Sequence, residues 1–196
     1  DGIPETFSID QSVHSLFGVS KAASDLLAQE YGRNFSLKVG IFRSGCLTGP
    51  LHSSVELHGF LSYLVKCFIN MKPFTIYGYS GKQVRDQIYS SDVIRAFEAF
   101  RINPRMGEVY NLGGGKKNSA SVLECLNKLR SLTSRDFSPS YNDENRVGDH
   151  ICYYSNLSKM KSHLNNWDVT VSLDDIIKIM VDYELDKSNK TLVSEF

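Results

Sequence analysis

The sequence predicts an α/β fold, and three observations carry the prediction. Short β-leaning runs bounded by turn residues alternate with longer runs whose apolar residues recur at helical spacing. The chain has 196 residues, 41% of them hydrophobic, enough to bury the core of one ordinary domain. No internal repeat or low-complexity tract interrupts the alternation.

Taken in order, residues 1–15 are polar and read as a loop. A helix is expected from Leu16, with Phe17 and Lys21 one turn apart and Gly32 as its C-cap. The run Leu37-Lys-Val-Gly-Ile-Phe42 has the profile of a buried strand, and Gly45 to Pro50 that of a loop. A second helix spans about His58 to Asn70, where Phe60, Leu61, Leu64, Val65 and Phe68 share one face. Phe74-Thr-Ile-Tyr77 is a strand closed by the turn Gly78-Tyr-Ser-Gly81. Asp92 is placed to cap a helix carrying Val93 and Ala96. Glu108-Val-Tyr-Asn-Leu112 is another strand, and Ser119 or Ser121 starts the helix of Val122, Leu126 and Leu129. The segment from Ser134 to Asp149 reads as irregular. A short helix near Leu157 to Leu164 follows, then a last one from Asp174 and a polar tail after Asp186.

Composition narrows the function classes. Lys and Arg number 22 against 22 Asp and Glu, so the net charge of zero argues against a dedicated nucleic-acid binder. No apolar run approaches the roughly 18 residues of a membrane span. The opening Asp-Gly-Ile-Pro-Glu has neither the basic nor the apolar region of a secretory leader, and it lacks an initiator Met. Cys46, Cys67, Cys125 and Cys152 are far apart without metal spacing, so reduced thiols in a cytoplasmic protein are expected. The five histidines form no ligand pattern, and no metal is expected.

Four stretches could carry chemistry. Phe17 and Lys21 share a helix face, though a core aromatic beside a solvated lysine is the commoner reading. Arg43, Cys46 and Thr48 follow a strand, where open α/β sheets bind ligands; a tight turn with a structural Arg is equally compatible. Gln83, Arg85 and Asp86 precede Tyr89 and Asp92 and suit a phosphate, or else a surface ion pair and a helix cap. Arg146 lies in a charged cluster with Asp149 and His150, as a second phosphate clamp or a solvated loop residue. Gly113-Gly-Gly115 lacks the spacing of a nucleotide loop and reads as a structural turn.

The order of these stretches is more specific than any one of them. Phe17-x-x-x-Lys21, Phe42-Arg-x-x-x-Leu-Thr-Gly-Pro50, Arg85-Asp-x-x-Tyr-x-x-Asp92, Gly107-Glu-Val-Tyr-Asn-Leu-Gly113 and Arg146-x-Gly-Asp149 together resemble the second half of the extended short-chain dehydrogenase/reductase family. These are the NAD-dependent nucleotide-sugar epimerases and dehydratases. The stretches around Gly45 to Leu61 and Gly81 to Asp86 look most like its CDP-paratose 2-epimerase (CDP-tyvelose epimerase) branch.

The resemblance implies the C-terminal part of a Rossmann-like doubly wound sheet plus a small mixed α/β substrate-binding subdomain. Residues 1–50 would end the NAD-binding domain. Residues 51–185 would interleave the nucleotide-sugar subdomain with the final Rossmann strand, at about 86–112, and 186–196 would be the tail. Lys21 would bind the nicotinamide ribose, with Arg43 and Cys46 also on the cofactor side. Thr48, Gln83, Arg85 and Arg146 would bind substrate, in that branch a CDP-hexose, inverted at C2 through a transient ketose.

Two departures from the family pattern bear on activity. Phe17 stands where the family has its catalytic Tyr, and a phenyl ring moves no proton; general acid–base assistance is typically worth roughly 10²–10⁴-fold. Cys46, His58 and Tyr89 are the candidate stand-ins. No Gly-x-x-Gly-x-x-Gly follows a strand, so the pyrophosphate cradle is expected before Asp1 and the chain to be a C-terminal fragment. The alternatives are a remnant that only binds nucleotide sugar, or a 4-epimerase or 4,6-dehydratase. The chain is expected to associate, as a homodimer or with a complementing N-terminal half, because a sheet lacking its first strands leaves an edge open. Sedimentation checks this: oligomers or aggregates are expected, and a clean monomer with a cooperative melt counts against it.

Overall fold

The computed structural model describes residues 1–10, 14–56, 58–146 and 148–193. Residues 11–13 of the opening loop, Leu57 and Val147 within the quoted motifs, and 194–196 of the tail lie outside the described residues. The chain runs α1 (Leu16–Phe35), β1 (Gly40–Ser44), β2 (Cys46–Thr48), α2 (Phe60–Ile69), β3 (Thr75–Tyr77) and β4 (Val84–Tyr89). It continues through α3 (Ser90–Ile102), β5 (Glu108–Leu112), β6 (Ser119–Ser121), α4 (Val122–Thr133), β7 (Ser140–Asn142), β8 (Cys152–Tyr153), α5 (Ser158–His163) and α6 (Leu173–Val193).

Helix α1 starts where the sequence places it, with Ser15 Oγ accepting from the Gly18 N–H at 3.0 Å. It does not stop at Gly32. A Cβ there would lie 2.4 Å from Gly107 Cα, so this glycine permits close backbone approach, and Ser36 in the left-handed region closes the helix instead. Strand β1 pairs in parallel with β5, register Gly40 to Glu108 through Ser44 to Leu112. The expected loop after it contains β2, which pairs in parallel with β4. Three residues between two turns are too few to display alternation, so the sequence could not announce this strand.

Strand β4 is also absent from the sequence reading, because Val-Arg-Asp-Gln-Ile-Tyr looks polar. Its first half pairs antiparallel with β6 and parallel with β8, and its second half with β2. The stretch expected as one Rossmann segment at 86–112 therefore divides: β4 lies in this mixed sheet, and only β5 pairs with β1. A third sheet joins β3 to β7 inside the segment read as irregular. Helix α6 runs to Val193, beyond the Asp186 at which a polar tail was expected.

Two cores flank the mixed sheet. Leu64, Val65 and Phe68 of α2 pack with Leu126 and Leu129 of α4 and Ile176, Ile177 and Met180 of α6. On the other side, Ile88 of β4 joins Ala96, Tyr110, Leu112, Met160 and Trp167. Helix α4 begins with a capping box between Ser121 and Glu124, confirming the Ser121 start. Asp92 does not cap α3. It sits fully buried in the first turn, where its carboxylate accepts from Thr170 N at 3.0 Å, Thr170 Oγ1 at 2.8 Å and Val171 N at 3.2 Å. The segment leading into α6 thus takes the acceptor that the sequence assigned to α3.

Asp86 is the other buried carboxylate. Its Oδ2 accepts from Gly115 N and Ser155 N, each at 3.0 Å, and so ties β4 to the loop after β5 and the segment after β8. A Cβ at Gly113 would lie 2.2 Å from that oxygen, and one at Gly45 would lie 2.8 Å from Oδ1. Asp86→Ala leaves two buried donors without an acceptor and is expected to cost about 2–4 kcal/mol in urea unfolding; an unchanged midpoint would remove Asp86 from this role.

Candidate active site

A cleft of about 630 Å³ opens between β2, the loop into α2, β3, β4 and the segment around Arg146 and Asp149. It gathers six of the eight residues singled out from the sequence: Lys21, Cys46, Thr48, Gln83, Arg85 and Arg146. The strand pleat explains part of this. Gln83, Arg85 and Gln87 alternate along β4 and its approach, so their side chains fall on the cleft face while Asp86 and Ile88 point inward.

Arg85 and Arg146 reach the cleft from distant parts of the chain. The Arg85 Nη2 pairs with Asp149 Oδ1, and its Nη1 donates to its neighbour's carbonyl, Val84 O, at 2.7 Å. The Arg146 guanidinium lies 4.6 Å from the Tyr77 ring centroid and donates through Nη2 to Glu56 O at 3.3 Å. Tyr77 in turn donates its hydroxyl to Glu56 Oε1 at 3.1 Å. Gln83 Nε2 donates to Tyr77 O at 3.1 Å. Among the described residues, Gln83 Oε1, Gln87 Nε2 and Arg146 Nε are buried without a hydrogen-bond partner, and all three belong to residues lining this one cleft.

The remaining sequence candidates sit differently. Arg43 lies outside the lining: its Nε and Nη2 hold both oxygens of Asp25, at 2.7 and 3.1 Å, and its Nη1 donates to Glu5 O at 2.9 Å. It fastens α1 onto β1. Phe17 is 69% exposed and also outside the lining, with the Lys21 ammonium 5.4 Å from its ring centroid. Of the proposed stand-ins for the missing phenol, His58 lines the cleft, next to His52 at a ring separation of 6.0 Å. Tyr89 lies outside the lining and packs against the core of α2, α4 and α6. Cys46 lines the cleft, but burial pushes its thiol up to about 11, with the nearby Asp86 charge adding to the shift; Arg85 and the Gln87 amide oppose it more weakly. A thiol in that state is a poor base at neutral pH.

The sequence reading missed Gln87, the pairing role of Asp149, and the Tyr77–Glu56 pair. Asp149 was visible only as part of a charged cluster, and nothing local marks it as the partner of a residue on β4. No group of three or more His, Cys, Asp or Glu able to hold a metal ion occurs among the described residues. No helix among them is long and apolar enough to cross a membrane. For a dinucleotide, the residues present fit one end. Lys21 is an exposed ammonium with no carboxylate partner among the described residues, beside the Ser44-Gly45-Cys46 turn.

A family model described as the NAD dependent epimerase/dehydratase family matches residues 3–113. The chain is 28% identical over 190 residues to the CDP-paratose 2-epimerase of Salmonella typhi, covering 93% of this chain and 55% of that protein. A UDP-glucose 4-epimerase from Thermotoga maritima, solved with UDP-glucose, superposes with a TM-score of 0.81 at 25% identity, covering 95% of this chain and 58% of the other. A UDP-glucuronic acid 4-epimerase from Bacillus cereus, solved with UDP-glucuronic acid and NAD, gives a TM-score of 0.76 at 29% identity, over 92% and 56%. The chain thus spans little more than half the length of these relatives.

With its pKa near 11, Cys46 is thiolate in roughly one molecule per ten thousand at pH 7. Iodoacetamide is therefore expected to modify the exposed Cys152 well before Cys46, with the Cys46 rate climbing steeply toward pH 11, as followed by peptide mass spectrometry. Rapid labelling of Cys46 at pH 7 would contradict the assigned environment.

Proposed function

The chain belongs to the NAD-dependent epimerase/dehydratase family, and on that premise we propose that its cleft holds a nucleotide sugar. The observation that carries this reading is the convergence of Arg85 and Arg146 on one recess that also holds three unpartnered buried polar atoms. Planar guanidinium forks suit the oxygens of a diphosphate, and unmet donors and acceptors suit a ligand rich in hydroxyl groups. Arg85 and Arg146 grip the diphosphate, and Gln83 lies against the sugar or the nucleotide. Thr48 and Cys46 border the hexose where it meets the nicotinamide, and Lys21 binds the nicotinamide ribose.

The reaction assigned to the complete protein is inversion at C2 of a CDP-hexose, a choice supported by the likeness to the Salmonella typhi enzyme. NAD, when bound, supplies the redox chemistry by accepting a hydride from the sugar carbon and returning it. The residues of this chain fix which sugar carbon is presented and keep the diphosphate in place. The 4-epimerase likenesses support the neighbouring reading, in which the same cleft presents C4. Arg43 has no part in this site, because Asp25 occupies its donors.

Phe17 favours a second reading, in which the chain binds the nucleotide sugar without turning it over. Association also belongs to the proposal. The side chains of Leu16, Leu27, Tyr31 and Phe35 on α1 are all at least half exposed, which supports packing against a second copy or a complementing half.

Calorimetric titration with CDP-, UDP- and dTDP-hexoses tests the cleft directly. Heat is expected with at least one, and Arg85→Ala should weaken it about tenfold to a hundredfold by removing charge-assisted hydrogen bonds. Absence of heat with all three would overturn the assignment.

A further inference from the structure

Gln87 is the most buried polar group on the cleft wall, 1% exposed, in the middle of β4. The Thr48 hydroxyl, itself within 3.1 Å of the Cys46 carbonyl, lies 2.8 Å from Gln87 Oε1 and fixes that end of the carboxamide. The other end, Nε2, has no hydrogen-bond partner among the described residues, and Gln87 lines the cleft. Cys46, paired opposite it on β2, is close enough for the amide to oppose the rise of its thiol pKa weakly, but a protonated thiol is a poor acceptor and leaves Nε2 without a hydrogen bond. A buried amide held at one end and unmet at the other is costly in the empty protein, and a ligand oxygen would offset that cost.

Position along the strand says which part of the ligand meets it. Arg85 and Gln87 are two residues apart on the same face, so their side chains leave the strand roughly 7 Å from one another. Gln83, just before β4, donates to Tyr77 O, so from Arg85 the strand leads away from Tyr77 toward Cys46 and Thr48. In a nucleotide sugar the hexose follows the diphosphate over a comparable distance.

We propose that the Gln87 carboxamide hydrogen-bonds an oxygen of the hexose and is a specificity-determining residue, oriented by Thr48. The inference rests on the nucleotide-sugar reading of the cleft. Thr48 is then a positioning residue: its hydroxyl is engaged by Gln87, so it acts on the sugar through the amide.

Titration with matched pairs separates this proposal from the reading beneath it: CDP-glucose with CDP, UDP-glucose with UDP, and dTDP-glucose with dTDP. In the unmodified chain, at least one sugar nucleotide is expected to bind more tightly than its own nucleoside diphosphate. Gln87→Met, of similar size without the amide, should weaken the sugar nucleotide about fivefold to tenfold and leave the diphosphate unchanged. Thr48→Val should reproduce a smaller version of that split, and thermal melting of each variant reports whether the fold has survived. Gln87→Leu, uncharged and lacking the amide, backs up the Met variant should that one melt early; selective loss for the sugar nucleotide is again the expected result. Equal weakening of both members of a pair, or of neither, overturns the role of Gln87 while the cleft assignment stands. Failure of the unmodified chain to bind any of the six compounds overturns the cleft assignment, and this proposal with it.

Discussion

A carboxylate with no exposure to solvent holds together the segments that wall the cleft. Asp86 sits on β4 with its side chain turned away from the cleft, and one of its oxygens receives the N–H groups of Gly115 and Ser155. Those residues belong to the turn after β5 and to the segment after β8, so one side chain links the β1–β5 pair to the β4–β8 pair through the strand that carries the cleft face. Gly45 and Gly113 crowd against it, which explains two glycines that would otherwise read as loop filler. Because Asp86 pins β4 from behind, Arg85 and Gln87 on either side of it are directed into the cleft by the pleat alone. The position of the functional groups follows from an interaction none of them makes.

Much of this was legible in the sequence, and the parts that were not share a cause. Strand β5 and the Ser121 capping box are encoded by neighbours: an apolar run between turns, and a Ser three residues before a Glu. Strands β2, β6 and β8 are short and draw their stability from β4, so no local pattern marks them. Strand β4 itself is hidden by Arg85, Asp86 and Gln87, polar residues that are covered, Arg85 in part and the other two fully, only because distant segments or a cleft meet them. Gly32 looks like a C-cap for the same reason, since Gly107, which requires its small size, lies far along the chain.

The site divides along the same line. The order of the motifs pointed to Arg85 and Arg146 together, and both line the one cleft. Which donors are engaged was invisible. Arg43 follows a strand end, as a ligand-binding residue would, yet Asp25 on the adjacent helix takes both of its forks. Thr48 stands out in the sequence for its place after a strand, whereas its hydroxyl lies 2.8 Å from Gln87 Oε1, on a residue that no local pattern marks.

The pairing of Arg85 with Asp149 has a consequence for how ligands arrive. Lys21, Arg85 and Arg146 bring three positive charges to the cleft, while Glu56 and Asp149 bring two negative ones. The lining is thus nearly balanced, and it projects little field beyond the roughly 8 Å that physiological salt allows. An anion is not drawn in from afar. Any anion that binds there meets guanidinium groups already held at fixed angles, so encounter should depend only weakly on ionic strength while retention depends on fit.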